Sequence, residues 1–382
     1  MNIGIICEYN PLHLGHQKQL WAVRREFGPD CGVVCLMSGN YVQRGQPAIL
    51  DKSVRAQAAV LSGADLVLEL PLTVSLSSAE GFAAGGVKIL SPICDRLCFG
   101  AESGSKDAFM SAAQALLSPR FSGFLRKGLD QGLSFPAARQ QALENMGVSD
   151  ALVRRPNDIL GVEYCKAILS QNSSMKPFPI HRPGSYHDTQ ADPENPSATA
   201  LRRRMLAGES WLEYVPQEAR SVFRDAPLYT LEAGERAVLS RLRAMSEDKF
   251  SMIAYGSEGL WRKFMHACRE KSALEDILVA VKSKRYTRTR LDRMAMCAAL
   301  GLNHRDMEEP PPYSRVLAFN HKGRSILKEV KGRAPLVHAG VAVSHPYWEL
   351  EQRAQDLYGL FRTDCVDPAG LEPKRRIIYV DK

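Results

Sequence analysis

The chain has 382 residues, 45% of them hydrophobic and 24% charged, a composition ordinary for a globular protein and long enough for two or three domains. No apolar stretch is long enough to span a bilayer, no signal peptide is evident, and nine cysteines without CxxC or zinc-type spacing argue against a disulfide scaffold, so a cytoplasmic protein with no membrane partner is expected. The net charge of +8 is unevenly spread: residues 1–150 carry 13 basic and 13 acidic side chains, and residues 151–382 carry 37 and 29, as suits a neutral catalytic part joined to a polyanion-binding remainder.

Residues 3–7 form an apolar run that reads as a buried strand. Asn10-Pro11 then turns the chain, and residues 17–27 read as a helix. His13 and His16, with Gly15 between them, therefore fall where a strand hands over to a helix N-terminus. Unpaired backbone N–H groups and the positive end of the helix dipole face an arriving anion there. Imidazoles add hydrogen-bond donors, and Gly15 lets a nucleotide approach the backbone. We read this H-x-G-H segment as a nucleoside triphosphate site with His13 and His16 as catalytic candidates.

Further strands are expected at 33–37, 66–70 and 96–99, alternating with helices at 53–62 and 79–90. That alternation implies an α/β fold, a Rossmann-like parallel sheet with right-handed crossovers whose ligand sits at the strands' C-terminal ends. After the second strand, Arg44, Lys52 and Arg55 are candidates for neutralising phosphate, and Asp51 either orients a nucleophile or caps a helix. Gly100, ending the fourth strand, would let an adenine lie against the backbone. Cys31/Cys35 and Cys94/Cys98 sit in or beside apolar runs and read as small core residues.

Helices follow at 106–117, 137–146 and 159–169, then a short strand at 177–180. Arg182 would hold a triphosphate tail bidentately. The Pro/Gly/Ser/Asp-rich stretch 183–196 reads as a loop near the boundary between a catalytic domain, 1–190, and a mainly helical region, 191–382. Ser197 caps a helix over 200–206 that carries Arg202, Arg203 and Arg204. Long helices are expected at 228–245 and 258–282. Thr287 would cap a helix at 288–300, a small α/β unit is expected over 314–345, and a helix closes the reading at 350–361. The segment from Lys282 to Arg293 holds six cations in twelve residues, with Tyr286 and hydroxyls among them. A solvated charged face would look similar, but the interleaved aromatic and hydroxyls favour RNA.

Seven segments together resemble the tRNA(Met) cytidine acetate ligase family, a branch of the HIGH-type nucleotidyltransferases. They are residues 4–16, 38–55, 63–71, 99–102, 157–164, Tyr186-His187-Asp188 with Ser197-Ala198-Thr199, and 286–293, in family order. The resemblance implies that ATP contacts fall on Ile6-Cys7-Glu8-Tyr9-Asn10-Pro11-Leu12-His13-Leu14-Gly15-His16-Gln17-Lys18-Gln19, Gly100, Asn157 and Arg182, with Mg2+ as the ATP counterion. It implies that acetate and ATP form acetyl-adenylate, and that the acetyl group passes to N4 of the wobble cytidine of elongator tRNA(Met). The tRNA backbone would then meet Arg202, Arg203, Lys282, Lys284, Arg285, Arg288, Arg290 and Arg293. One departure stands out. Where the family commonly has Asn-Gly between the histidines, this chain has Leu14-Gly15, so no side-chain hydrogen bond is available at Leu14. Two other readings stay open at this level: a small-molecule adenylyltransferase, and a non-catalytic RNA-binding module with a vestigial nucleotide pocket.

Overall fold

The computed structural model describes residues 1–133, 135–149, 152, 155–181 and 196–381. Ten strands are present among them: β1 (Asn2–Cys7), β2 (Gly32–Ser38), β3 (Tyr41–Val42), β4 (Gln46–Pro47), β5 (Leu66–Leu70), β6 (Arg96–Ala101), β7 (Lys176–His181), β8 (Ser314–Phe319), β9 (Leu336–His338) and β10 (Ile378–Tyr379). β3 and β4 form a hairpin of their own, and the other eight make one sheet in the order β10-β8-β5-β2-β1-β6-β7, with β9 beside β8. The pairs β1–β2, β2–β5, β1–β6 and β6–β7 are parallel, as the apolar runs and crossover helices predict. The chain leaves β1 toward β2 and β5, then returns to β6 and β7 on the opposite flank. The topological switch point, where such sheets hold ligands, therefore lies between β1 and β6.

Both faces of β1 are buried, which is why it reads as a continuous apolar run. Ile3 and Ile5 pack in one cluster with Leu20 and Val23 of α1 (Leu14–Phe27). On the other face, a Cβ at Gly4 would stand 2.8 Å from the Leu90 side chain, so Gly4 is what lets the helix Ala79–Leu90 approach. Cys31, Cys35, Cys94 and Cys98 are buried free thiols, as expected of core residues. Among the described residues no helix is long and apolar enough to cross a membrane.

The later part of the chain departs from the sequence expectation in three places. Residues 228–245 are not one helix. The helix covers only Glu235–Arg243, because the backbone before it is drawn elsewhere: Tyr229 bridges Arg362, and the N–H groups of Tyr229 and Thr230 donate to the carbonyls of Ile49 and Phe361. Residues 258–282 split into Leu260–Glu270 and Leu274–Val281, and Glu258 and Gly259 have left-handed backbone, φ +62° and +78°, at the start. The stretch 314–345 is not a unit of its own. β8 pairs antiparallel with β5 and so extends the first sheet, carrying β9 and β10 with it. The expected boundary loop, 183–196, lies almost wholly outside the described residues.

One side chain ties together the loops that leave the sheet. Arg55, on α2 (Lys52–Leu61), is fully buried. Its Nε donates to the Leu50 carbonyl at 2.8 Å, Nη1 to the carbonyls of Glu8 (2.7 Å) and Ser38 (3.0 Å), and Nη2 to that of Gly39. The carbonyls of Glu8, Ser38 and Gly39 stand at or just past the ends of parallel strands, where the ladder no longer supplies donors, and that of Leu50 just before α2. Arg55 is therefore a structural clamp, in contrast to the phosphate role its position in the sequence suggests. Arg55→Leu should lower the free energy of unfolding by about 3 kcal/mol or more, since it strands buried carbonyls. Urea denaturation of the variant against the parent measures this.

Candidate active site

His13 ends the loop after β1 in extended backbone, φ −141°, and its carbonyl accepts from the N–H groups of His16 (2.9 Å) and Gln17 (3.1 Å), opening α1. The two imidazoles stack, with centroids 3.7 Å apart and planes 25° from parallel. The Tyr9 ring lies 5.0 Å from that of His16. The His13 backbone N–H donates to His16 Nδ1 at 3.3 Å. In the neutral His16 ring the proton is then on Nε2. Tyr9 itself holds a left-handed φ of +46°, and its preceding loop is pinned by Arg55. Backbone strain of this kind persists where surrounding bonds over-determine the loop.

These histidines open into a cleft of about 830 Å³ at the C-terminal edge of the sheet. Of the residues expected to meet ATP, Ile6, Cys7, Glu8, Tyr9, Asn10, His13, Gly15, His16, Lys18, Gln19, Gly100 and Asn157 line it. Pro11, Leu12, Leu14 and Gln17 do not: Leu12 is buried in the core, and Gln17 reaches Glu218 at 3.4 Å. Arg182 lies outside the described residues, as do Tyr186, His187 and Asp188. Gly100 and Asn157 are brought together by hydrogen bonding at the end of β6. Asn157 Nδ2 donates to Glu102 at 2.8 Å, and the buried Asp158 carboxylate accepts from the N–H groups of Glu102 and Ser103 and from the Ser103 hydroxyl. Asp158 was legible only as part of a helix start.

Cys7 is the cleft's thiol. Burial, with Cys35 beside it, pushes it well above its ordinary value, so it stays protonated and is a poor nucleophile. Burial likewise pushes Cys98, which accepts a hydrogen bond from Gln19, up to about 12.

The structure does not bring Asp51 to the cleft. Its Oδ1 caps α2 by accepting the Ser53 N–H at 2.8 Å, and both its oxygens take the Arg375 guanidinium, at 2.8 and 2.6 Å. Arg375 also holds Glu372, which shares Lys52 with Glu69 at 2.7 and 2.9 Å. Lys52 is thus committed to carboxylates inside the protein and is not a phosphate contact. Burial alone would raise the Asp51 carboxyl, but Arg375, the Ser53 N–H and Lys52 outweigh it and hold the group well below the usual carboxylate range.

Arg202, assigned on sequence to RNA, instead lines the cleft. Its Nη1 donates to the Asn10 carbonyl at 2.6 Å and its Nη2 to Thr199 Oγ1 at 3.1 Å, a one-turn spacing on the helix Ala198–Leu206 that Ser197 caps. Arg203 next to it is exposed. Sequence reading missed Arg25, Gln43, Gln46 and the segment from Tyr229 to Leu231 as cleft residues. Only the spacing of Lys18, Ala22 and Arg25 at i, i+4 and i+7, on one face of α1, carried any signal for them.

The basic segment leads into the helix Arg288–Leu300, capped by Thr287 as predicted. Lys282, Lys284 and Arg285 are exposed. Arg285 pairs with Glu258 at 2.7 Å, and Arg288 is shared between Glu275 and Asp292. Arg290 lies over the Tyr286 ring, 4.9 Å from its centroid, and Arg293 over that of Tyr255 at 5.2 Å. Arg293 also donates to the Gln43 carbonyl at 3.4 Å, and Gly45, φ +73°, sits against the backbone of Asp292 and Arg293. The basic helix thus abuts the β3–β4 hairpin that walls the cleft.

A parallel sheet with stacked histidines at its first crossover helix is the architecture of a nucleotidyltransferase. The family model of the HIGH Nucleotidyl Transferase matches residues 1–369. The tRNA(Met) cytidine acetate ligase of Clostridium novyi (strain NT) is 37% identical over 357 residues, 88% of this chain and 89% of that protein. That of Acetivibrio thermocellus is 33% identical over 99% of both. The crystal structure of apo Thermotoga maritima TmcAL superposes with a TM-score of 0.90 at 30% identity, and that of the same protein bound with alpha-thio ATP with 0.87 at 29%, each covering both chains in full. The chain belongs to the tRNA(Met) cytidine acetate ligase family of HIGH nucleotidyl transferases.

The Asp51–Arg375 pair has a pH consequence. Because the folded carboxyl is held below its unfolded value of about 3.9, its contribution is complete above that pH and is lost as pH falls through the folded value. Asp51→Asn should cost about 3 kcal/mol near pH 7. The gap between variant and parent in urea midpoints should narrow as pH is lowered below 4.

Proposed function

We propose that this protein joins acetate to ATP, forming acetyl-adenylate and pyrophosphate, and transfers the acetyl group to N4 of the wobble cytidine of elongator tRNA(Met). The observation that carries the reading is the pair of stacked imidazoles at the N-terminus of α1, facing a cleft at the sheet's C-terminal edge. In the first step an acetate oxygen bonds to the α-phosphorus and the bond to pyrophosphate breaks. The barrier lies in charge gathering on phosphoryl oxygens. His16 Nε2–H, the α1 N-terminus and the cations Lys18, Arg44 and Arg202, which line the cleft, would meet that charge. Mg2+ enters as the triphosphate's counterion, part of the substrate. The cleft carboxylates Glu8 and Glu102 are engaged with the Gln43 N–H and with Asn157.

In the second step the cytidine N4 attacks the acetyl carbon, the bond from that carbon to the phosphate oxygen breaks, AMP leaves, and N4 gives up a proton to solvent. The adenylate is already activated, so a protonated Cys7 is no handicap. An anticodon base is single-stranded, so no duplex has to open. The basic segment beside the hairpin would grip the RNA backbone. Such a reaction belongs where tRNA is, in the cytoplasm.

Incubation with ATP, labelled acetate and elongator tRNA(Met), followed by mass analysis of the RNA, tests the whole reading: an acetylated cytidine is expected. Pyrophosphate release only with a phosphorylated small molecule, or none at all, would overturn it. His16→Ala should slow acetate-dependent pyrophosphate exchange by about a hundredfold to a thousandfold, as loss of a preorganised donor does, while tRNA retention on filters stays near the parent. Lys284→Ala with Arg285→Ala should weaken tRNA binding at all salt concentrations and reduce the salt slope by about 2, leaving exchange unchanged.

A further inference from the structure

The cleft has two flanks, on either side of β1, and they differ. On the β6–β7 side of β1 its walls are Phe99, Gly100, Asn157 and Ile180, at the topological switch point where a nucleotide belongs. On the β2 side the walls come from the β3–β4 hairpin and from the segment after residue 228. Pro47, Ile49 and Tyr229 form an apolar floor there. Tyr229 is stacked on Tyr358, 4.1 Å between centroids, and its N–H donates to the Ile49 carbonyl at 3.0 Å, so the floor is rigid. Gln43 and Gln46 border it. Gln43 is fixed through its backbone, to Glu8 and to Arg293, and Gln46 through the hairpin ladder opposite Val42. Among the described residues neither side-chain carboxamide has a hydrogen-bond partner, although both face the cleft.

We propose that this β2-side arm is the acceptor-base subsite, and that Gln43 and Gln46 are specificity-determining residues that donate to N3 and O2 of a single-stranded cytosine. The proposal rests on the acetyl-transfer reading above. Its chemistry follows from the base. When N4 is the nucleophile, the rest of the pairing edge consists of two acceptors, N3 and O2, and a carboxamide N–H suits each. Adenine also has a ring acceptor beside its amine but nothing equivalent to O2, so a donor aimed at O2 separates the two. The flat apolar floor takes the face of the ring. The route is continuous as well. Arg293 bonds the hairpin from the helix that the basic segment enters, so RNA held on that segment has an unpaired base within reach of the arm.

The full-length protein tests this with three measurements: acetate-dependent ATP–pyrophosphate exchange, filter retention of transcribed elongator tRNA(Met), and single-turnover acetyl transfer to that RNA. Gln46→Ala and Gln43→Ala should each slow transfer by about tenfold, the worth of one hydrogen bond. Gln46→Glu, which turns a donor into a charged acceptor facing O2, should slow it by about a hundredfold. Exchange and tRNA retention should stay within twofold to threefold of the parent in all three, which a folding defect would not permit. Unchanged transfer in Gln46→Glu overturns the proposal, and so does exchange falling in parallel with transfer, which would put these residues in the nucleotide site. A parent protein that acetylates no RNA overturns the reaction itself, a result distinct from either.

Discussion

Everything at the sheet's reactive edge depends on a buried guanidinium. Parallel strands that stop together leave carbonyl oxygens without ladder partners just where the loops must diverge to form a site. Arg55 answers this with a planar fork of donors, reaching the end of β1 through Glu8, the end of β2 through Ser38 and Gly39, and the approach to α2 through Leu50. A lysine would supply a charge but not the geometry. The result is that the loop carrying Tyr9 and His13 and the loop carrying Gln43 keep a fixed separation. Glu8 reinforces it by accepting the Gln43 N–H at 2.8 Å, and Asn10 by accepting that of Ile49 at 2.7 Å. Preorganised donors are effective only when the frame behind them does not yield.

What was legible in the sequence is what local chemistry decides. The strands at 3–7, 33–37, 66–70 and 96–99 appear within a residue or two of their expected positions, because buried parallel strands must be apolar throughout. Ser197 and Thr287 cap their helices as their side chains predict. What failed is what distant residues decide. β8 was visible as a strand, but nothing near it in the chain says that it pairs with β5 some 250 positions earlier. The break before Glu235 comes from Tyr229 and Thr230 pairing with the backbone of Arg362 and Phe361, again remote in sequence. The site shows the same division. His13, His16 and Gly100 could be located by strand ends alone, whereas the roles of Asp51 and Lys52 turned on Arg375 and Glu372, which the chain supplies only near its end, and that of Arg55 on carbonyls gathered from two strand ends.

That late arrival binds the two parts of the chain together. Glu372 and Arg375 close an ion network around Lys52 and Asp51, and a few residues later β10 adds to β8 at the sheet edge. A network of this kind is a weak source of net stability, because desolvation offsets much of the attraction, but an incomplete one is costly. The sheet that carries the cleft is therefore complete only when the C-terminal segment is in place. A neutral first part and a basic remainder, distinct in composition, are interlocked in space.

The charge balance of residues 1–150 takes on a different meaning in this light. Several of its cations are spent internally: Arg55 on carbonyls, Lys52 on Glu69 and Glu372, Arg24 on Asp65. The field in the cleft comes instead from the α1 N-terminus and from Lys18, Arg25, Arg44 and Arg202, contributed by three separate stretches of chain. On the basic helix, likewise, Arg288 is largely neutralised by Glu275 and Asp292, which hold its guanidinium in the charged form. Net charge thus marks the correct half of the molecule for a polyanion without identifying which side chains meet it. Which cations an anionic ligand meets is set by where the fold exposes them, before the Thr287 cap and along the cleft, rather than by the count.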